Sequence, residues 1–394
     1  MKTKWFISLV FLIIVGLGSS LANEDDLPRK VDFETLATFP LVIEGLTGDR
    51  NGNLYTTERG GDPCLVKRIE VATKTVEVVG HIPAPCSPSG IAFDKDGFLL
   101  IADAPDIYKL NPIPSGTGNG PAATLFVMAL VPGANGLALD RHGNLWTGDG
   151  TAGLGRVWKI TPAGVVTEEF RIQPMAATSV ELGTTFGSGV SSVGRDARTL
   201  PPGEINAART ATNSLGSQPL VANGLAFNQK GELFNADTAR GAIWKVEFKP
   251  DGTLISRTGC DPVFTENTLC LENIYVQHAL LEGTDGIALD REGNIWNSAN
   301  ERNAIVVVTD KQKVIEIFRN DPDETIHLRN NGPLEFPTSP FLLGKQFCTA
   351  NSDGNRRDNS PATAGELGGV GQPLGKISCM EQSLKIPGLP LPVK

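Results

Sequence analysis

Four side chains with hard oxygen donors stand at matching places in a repeated phrase. Glu44 opens "EGLTGDRNGNLY", Asn135 opens "NGLALDRHGNLW", Asn223 opens "NGLAFNQKGELF" and Asp285 opens "DGIALDREGNIW". Two carboxylates and two amide oxygens suit a divalent cation. Calcium takes six to eight oxygen ligands, so four from the protein leave places for water and a substrate. Two negative charges balance such an ion without overbinding it. Zinc is disfavoured, since none of the four is His or Cys. The expectation is one divalent metal ion, calcium by preference, held by Glu44, Asn135, Asn223 and Asp285.

For these residues to meet, the repeat must place them at one point. A fifth copy, "SGIAFDKDGFLL", opens at Ser89, and a weaker sixth, "TSPFLLGKQFC", opens at Thr338. In the five clear copies a glycine follows the opening residue, Asp or Asn stands five positions after that residue, and a second glycine stands eight positions after it. Each copy reads as two short apolar strands around a turn, with Asp bonding back to the local backbone and Gly at positive φ. Further strands such as "GRVWKIT" and "KVIEIFR" bring the unit to four. This pattern predicts an all-β chain, a six-bladed β-propeller with four-stranded blades around a central channel. "VDFETLATF", from Val31, is expected to complete the last blade and close the ring. The innermost strand of each blade lines the channel. The six opening residues therefore converge at one mouth, where Ser89, Thr338 and Asn300 are expected beside the substrate.

Other motifs carry less. The aspartates of "DRNGN" and "DREGN" resemble pieces of a calcium loop but lack its alternating ligands and distal Glu, so they read as turn formers. "GDGTAG" from Gly148 matches a phosphate-binding pattern but precedes a strand instead of a helix, which makes it a hairpin loop. There is no G-x-S-x-G elbow. His81, His142, His278 and His327 lie outside the ring positions, which leaves a Ser-His-Asp triad unsupported. Two segments interrupt the rhythm, Ile172 to Leu220 and Asp261 to Gly283. The first, residues 172–220, re-enters the propeller at Asn223 and is expected to form a lid over the metal face.

The chain of 394 residues opens with Lys2 and Lys4, an apolar run from Trp5 to Gly18 and "SSLA". Residues 1–22 thus read as a cleaved signal peptide, with the propeller over 31–384. The run is too short for a comfortable membrane span, and no later segment is long and apolar enough. A secreted or periplasmic protein follows, with no membrane association after cleavage. The net charge of −9 and the lack of any basic run exclude nucleic acid as an expected partner. Cys64, Cys86, Cys260, Cys270, Cys348 and Cys379 form an even set, which in an exported chain suggests disulfides. Fifteen pairings are open, of which the nearest-neighbour set is one.

The repeats resemble the SMP-30/gluconolactonase/LRE family of six-bladed propellers, itself similar to diisopropylfluorophosphatases and paraoxonases. "IEGLTGD" resembles that family's first-blade glutamate segment, "VANGLAF" its "PNG" asparagine segment, and "GTDGIALDREGNIW" its "PDG" aspartate segment. The resemblance implies that Glu44, Asn223 and Asp285 hold a divalent metal, with Asn135 of "GANGLAL" at the metal or substrate. The third-blade phrase "PGANG" departs from the Arg-x-Asn-Asp pattern common among sugar lactonases, which bears on the substrate. The expected activity is a calcium-dependent hydrolysis of lactones or related small esters by a monomer, with Asp285 as catalytic general base. The alternative is a non-enzymatic NHL-like binding module with a structural ion. A strictosidine-synthase-like propeller is a third reading.

Overall fold

The computed structural model describes residues 26–116, 118–150, 154–173, 221–281, 283–321, 332–352 and 375–391. The expected signal peptide, all but the first two residues of the expected lid over 172–220, part of "GDGTAG" and His327 lie outside them.

Six antiparallel four-stranded sheets make six blades. In sequence order the innermost strands are Thr47–Gly48, Ile91–Phe93, Ala134–Leu139, Leu225–Phe227, Thr284–Leu289 and Pro337–Leu343. The described residues hold helix only as short 3-10 turns, such as Asn300–Arg302. The strand Phe33–Phe39 pairs with Gly375–Met380 and completes the blade that begins at Pro337, so the start of the propeller closes its last blade. The segment from Asp261, read above as an interruption, instead delivers the outer strand of blade 4 at Ile274–Gln277. It escaped notice because its strand is short and only partly buried, without the alternation that marks other outer strands.

The Asp-x-x-Gly turns explain the repeat. Asp140 Oδ1 accepts from the backbone N–H of His142 at 2.8 Å and of Asn144 at 2.9 Å, and Gly143 takes φ +80. Asp140 Oδ2 then receives the Trp146 indole N–H at 3.0 Å. Asp49 does the same for the Tyr55 hydroxyl, and Asp290 for the Trp296 indole. Blade 4 has Asn228 at this place, and six residues on it has Phe234, which has no proton to donate. The turn needs only the side-chain oxygen, whereas a Trp or Tyr six positions later also needs a carboxylate.

The aromatics so fixed pack onto the next blade: Tyr55 on Phe93, Trp146 on Phe227 and Trp296 on Phe347, with ring centroids 4.9, 5.7 and 5.2 Å apart. The core therefore lies between blades. Six apolar clusters fill the six junctions, from Tyr55, Val66, Ile91 and Phe93 between blades 1 and 2 to Phe39, Leu54, Ile69 and Ile377 between blades 6 and 1. Burial at this level is the main favourable term in folding. Three disulfides add local closures at Cys64–Cys86, Cys260–Cys270 and Cys348–Cys379, which is the nearest-neighbour set. The last joins directly paired residues of adjacent strands.

Candidate functional site

Each innermost strand begins within three residues of one of the six opening residues, and the backbone brings these together. Gly90 N–H donates to the Asn135 carbonyl and Gly224 N–H to the Asp285 carbonyl, each at 3.0 Å. The Thr338 hydroxyl donates to the Glu44 carbonyl at 2.9 Å, which joins the last blade to the first. A Cβ on Gly224 would lie 2.5 Å from the Asp285 carbonyl oxygen and one on Gly136 3.0 Å from that of Asn223. Cβ atoms on Gly45, Gly90 and Gly286 would likewise meet the carbonyls of Ser89, Asn135 and Thr338. The glycine after five of the six opening residues is thus what lets the inner strands approach closely enough to form one ring.

All six opening residues are buried, with Asn223 and Thr338 the most enclosed. Their side chains differ in use. The hydroxyls of Ser89 and Thr338 donate to backbone carbonyls of neighbouring blades, Ser89 to Ala134 at 3.2 Å, and so link blades together. The other four meet the residue fifteen positions later, which follows the second strand of the same blade. Glu44 meets Arg59, Asn135 lies against Gly150, Asn223 meets Thr238 and Asp285 meets Asn300. The hairpin sets this spacing: up the inner strand, round the Asp-x-x-Gly turn and back.

These partners orient the donors. The Thr238 hydroxyl gives its one proton to the Thr284 carbonyl at 2.6 Å. Toward Asn223 it can then only accept, so the Asn223 amide nitrogen faces it at 3.1 Å. The Asn223 oxygen is left as the atom for a ligand. Asn300 Nδ2 donates to Asp285 Oδ2 at 2.9 Å, and Asn300 Oδ1 stays fully buried with no hydrogen-bond partner. A buried acceptor without a donor is costly, and a water or an ion is one way to satisfy it. A Gly150 side chain would collide with the Asn135 amide, so the glycine makes room for it.

Glu44 is paired with a cation of the protein itself. An Arg59 guanidinium nitrogen lies against Glu44 Oε2. Arg59 also donates to the Ser87 hydroxyl at 3.0 and 3.3 Å, and the Ser87 N–H donates to Asp103 Oδ1 at 2.7 Å. Burial pushes the Asp103 carboxyl above its ordinary range, opposed by the Ser87 N–H and by the charge of Arg59. Sequence reading missed Arg59, Thr238 and Gly150. The signal that could have found them is the constant fifteen-residue offset from the ring.

The donor set fits a hard divalent ion. Its acids are Glu44 and Asp285, its amide oxygens come from Asn135, Asn223 and Asn300, and nothing in it is soft. Among the described residues no three His, Cys, Asp or Glu side chains gather at one point, so the amides would be needed to complete a cage. His81 lies near the carbonyls of Asn119 and Gly120, His142 is a turn residue, and His278 accepts from the Leu280 N–H. The turn aspartates Asp49, Asp94, Asp140 and Asp290 sit at the far ends of the inner strands and are taken up by backbone N–H groups.

A family model described as an SMP-30/Gluconolactonase/LRE-like region matches residues 204–326. No curated protein sequence matches the chain. Among solved structures, a luciferin-regenerating enzyme is 13% identical, covers 92% of this chain and 99% of its own, and superposes with a TM-score of 0.56. A calcium-binding protein, regucalcin, from Agrobacterium tumefaciens str. C58 is 17% identical over 93% of this chain and 98% of its own, with a TM-score of 0.54. A PQQ-bound aldose sugar dehydrogenase from Streptomyces coelicolor reaches 0.52 at 16% identity, over 90% of this chain and 99% of its own. At these identities the likeness shows the fold alone, and one architecture carries different chemistries. The chain is a six-bladed β-propeller that carries an SMP-30/Gluconolactonase/LRE-like region.

Proposed function

We propose that this protein is a metal-dependent hydrolase of lactones or related esters, working on a small molecule at the channel mouth. The observation that carries the reading is the ring itself. Glu44, Asn135, Asn223 and Asp285 stand at matching positions of four different blades, with the Asn223 amide nitrogen turned to Thr238 and the Asn300 amide nitrogen to Asp285. A propeller that only presented a surface would have no need of that arrangement. The family-model match and the calcium-binding regucalcin neighbour support the same reading.

Glu44, Asn135, Asn223 and Asp285 would hold the ion, calcium by preference, as hard oxygen donors. When bound, it supplies a Lewis acid that polarises the substrate carbonyl and stabilises developing negative charge on its oxygen. Asp285 takes the proton of the attacking water as general base. Asn300 holds one Asp285 oxygen through its N–H at 2.9 Å and so fixes the direction of the carboxylate. Asn135 and Asn223 orient the substrate as well as the ion.

Three disulfides suit a protein that works in an oxidising compartment, and no helix of the described residues is long and apolar enough to cross a membrane. We read it as an exported monomer.

The test is a metal-supplemented screen of lactones, aryl esters and phosphotriesters, with Asp285→Ala as control. Turnover that chelator abolishes and Asp285→Ala lacks is the expected result. In calorimetry, Glu44→Gln and Asp285→Asn should each bind calcium at least tenfold more weakly, and unchanged affinity in both would sink the site assignment. Metal binding without turnover of any class would favour the binding-module reading.

A further inference from the structure

We infer that Arg59 is an internal cation that occupies the Glu44 carboxylate until a divalent ion displaces it, so that Arg59 sets the metal threshold of the site. This rests on the reading of the ring as a metal site. Of the fifteen-residue partners in the four donor blades, Gly150, Thr238 and Asn300 are neutral and only Arg59 is charged. It stands in the blade that supplies Glu44, with its guanidinium on Oε2 of that carboxylate. The Arg59 side chain is 22% exposed and that of Glu44 10%, so water screens the pair only in part.

A divalent ion at the ring needs the same oxygen. Two cations on one carboxylate oxygen repel each other, and the repulsion is larger where water is partly excluded. Arg59 must therefore leave Glu44 for the ion to bind. The structure provides the place it goes. Two of its N–H groups already donate to Ser87 Oγ, and the backbone N–H of Ser87 reaches Asp103. Asp103 is a buried carboxylate that already feels the Arg59 charge. A swing about the Ser87 anchor exchanges Glu44 for Asp103 without putting the guanidinium into bulk water. With no ion bound, Arg59 offsets one of the two acids at the mouth and spares the ring their mutual repulsion. With an ion bound, the second charge of the ion is what makes the exchange favourable, which discriminates against monovalent cations.

The test uses the full chain, with calcium chloride as the probe, in Arg59→Gln and Arg59→Lys. Calorimetry gives the affinity, and thermal melts in chelator and in calcium give an independent readout. Arg59→Gln should bind calcium about tenfold or more tightly than the parent, the scale of one partly buried ion pair. It should melt lower than the parent in chelator and gain more from calcium. Arg59→Lys keeps the charge and should stay near the parent. A damaged fold would weaken binding, so tighter binding cannot arise from structural loss. If the parent binds calcium and Arg59→Gln binds it equally or more weakly, the role of Arg59 is refuted while the metal reading stands. If neither protein binds calcium, magnesium or manganese, the metal reading fails and takes this inference with it.

Discussion

Gly224→Ala should separate two blades at the ring. The added Cβ would lie 2.5 Å from the Asp285 carbonyl oxygen, 2.6 Å from Gly286 Cα and 3.0 Å from Ile287 N. Ordinary contact begins near 3.4 Å, so the inner strands of blades 4 and 5 must part by about 0.9 Å. All three obstacles are backbone, which cannot rotate away. Inserting a methyl into such a place costs about 1–3 kcal/mol. The Gly224 N–H to Asp285 carbonyl bond, 3.0 Å long, stretches with it and removes about 1 kcal/mol more. Reduced freedom of the unfolded chain returns roughly 0.4–1 kcal/mol. The net expectation is a loss of about 2–3 kcal/mol. Gly136→Ala is the internal control. Its Cβ would lie 3.0 Å from the Asn223 carbonyl oxygen and from Gly224 Cα, only about 0.4 Å short, so it should cost about 1 kcal/mol or less. Equilibrium urea unfolding followed by tryptophan fluorescence reads both, through the buried Trp244 and Trp296. A Gly224→Ala protein as stable as the parent, or a Gly136→Ala protein that loses more, would refute the argument that these glycines set the approach of the blades.

Thiol titration of the unreduced, denatured protein should find none of the six cysteines free. Losing Cys348–Cys379, 31 residues apart, should cost about 4 kcal/mol, against about 3 for Cys260–Cys270, 10 apart, by the chain-entropy estimate. Asp140→Asn should lower stability by about 1 kcal/mol, because an amide N–H would then face the Trp146 indole N–H, and Asn228→Asp should cost about as much for the opposite reason, since the Asn228 amide donates to Glu232 and a carboxylate there would repel it; thermal melts read both. Lys376 and Glu335 form a buried pair 3.0 Å apart, in which burial pulls the lysine below its ordinary value against the pull of Glu335. Lys376→Met should cost about 3–5 kcal/mol by stranding the carboxylate, and Lys376→Met with Glu335→Leu should recover most of it in the same urea assay.

The propeller was legible because its repeat is written twice over, once in the ring glycines and once in the Asp-x-x-Gly turns. Both are backbone demands that few other residues meet. The ring was legible for the same reason, since a fixed register carries a varying side chain to one point. What each side chain does there was less so. Ser89 and Thr338 looked like neighbours of a substrate, yet their hydroxyls are held by carbonyls of adjacent blades. Asn300 sits against Asp285. Arg59 was invisible to a reading that followed acids and amides, because its relation to Glu44 depends on hairpin length instead of motif. The outer strand of blade 4 was hidden in Ile274–Gln277, whose partial burial leaves no alternation to read.

The strand that closes the ring also sets the order of assembly. Phe33–Phe39 pairs with Gly375–Met380, so the first strand made must wait for nearly the last one. Glu44 follows five residues after Phe39 and meets the last blade through Thr338. Glu44 is held on one side by its own blade, where Ile43 bridges Glu58, and on the other by the last blade through Thr338. Five blades can stack while the chain is still emerging, but none of those intermediates has Glu44 and Asp285 in one ring. A chain stopped short of Gly375 leaves that ring open, and on the proposed reading its ion site would lack the support of the last blade.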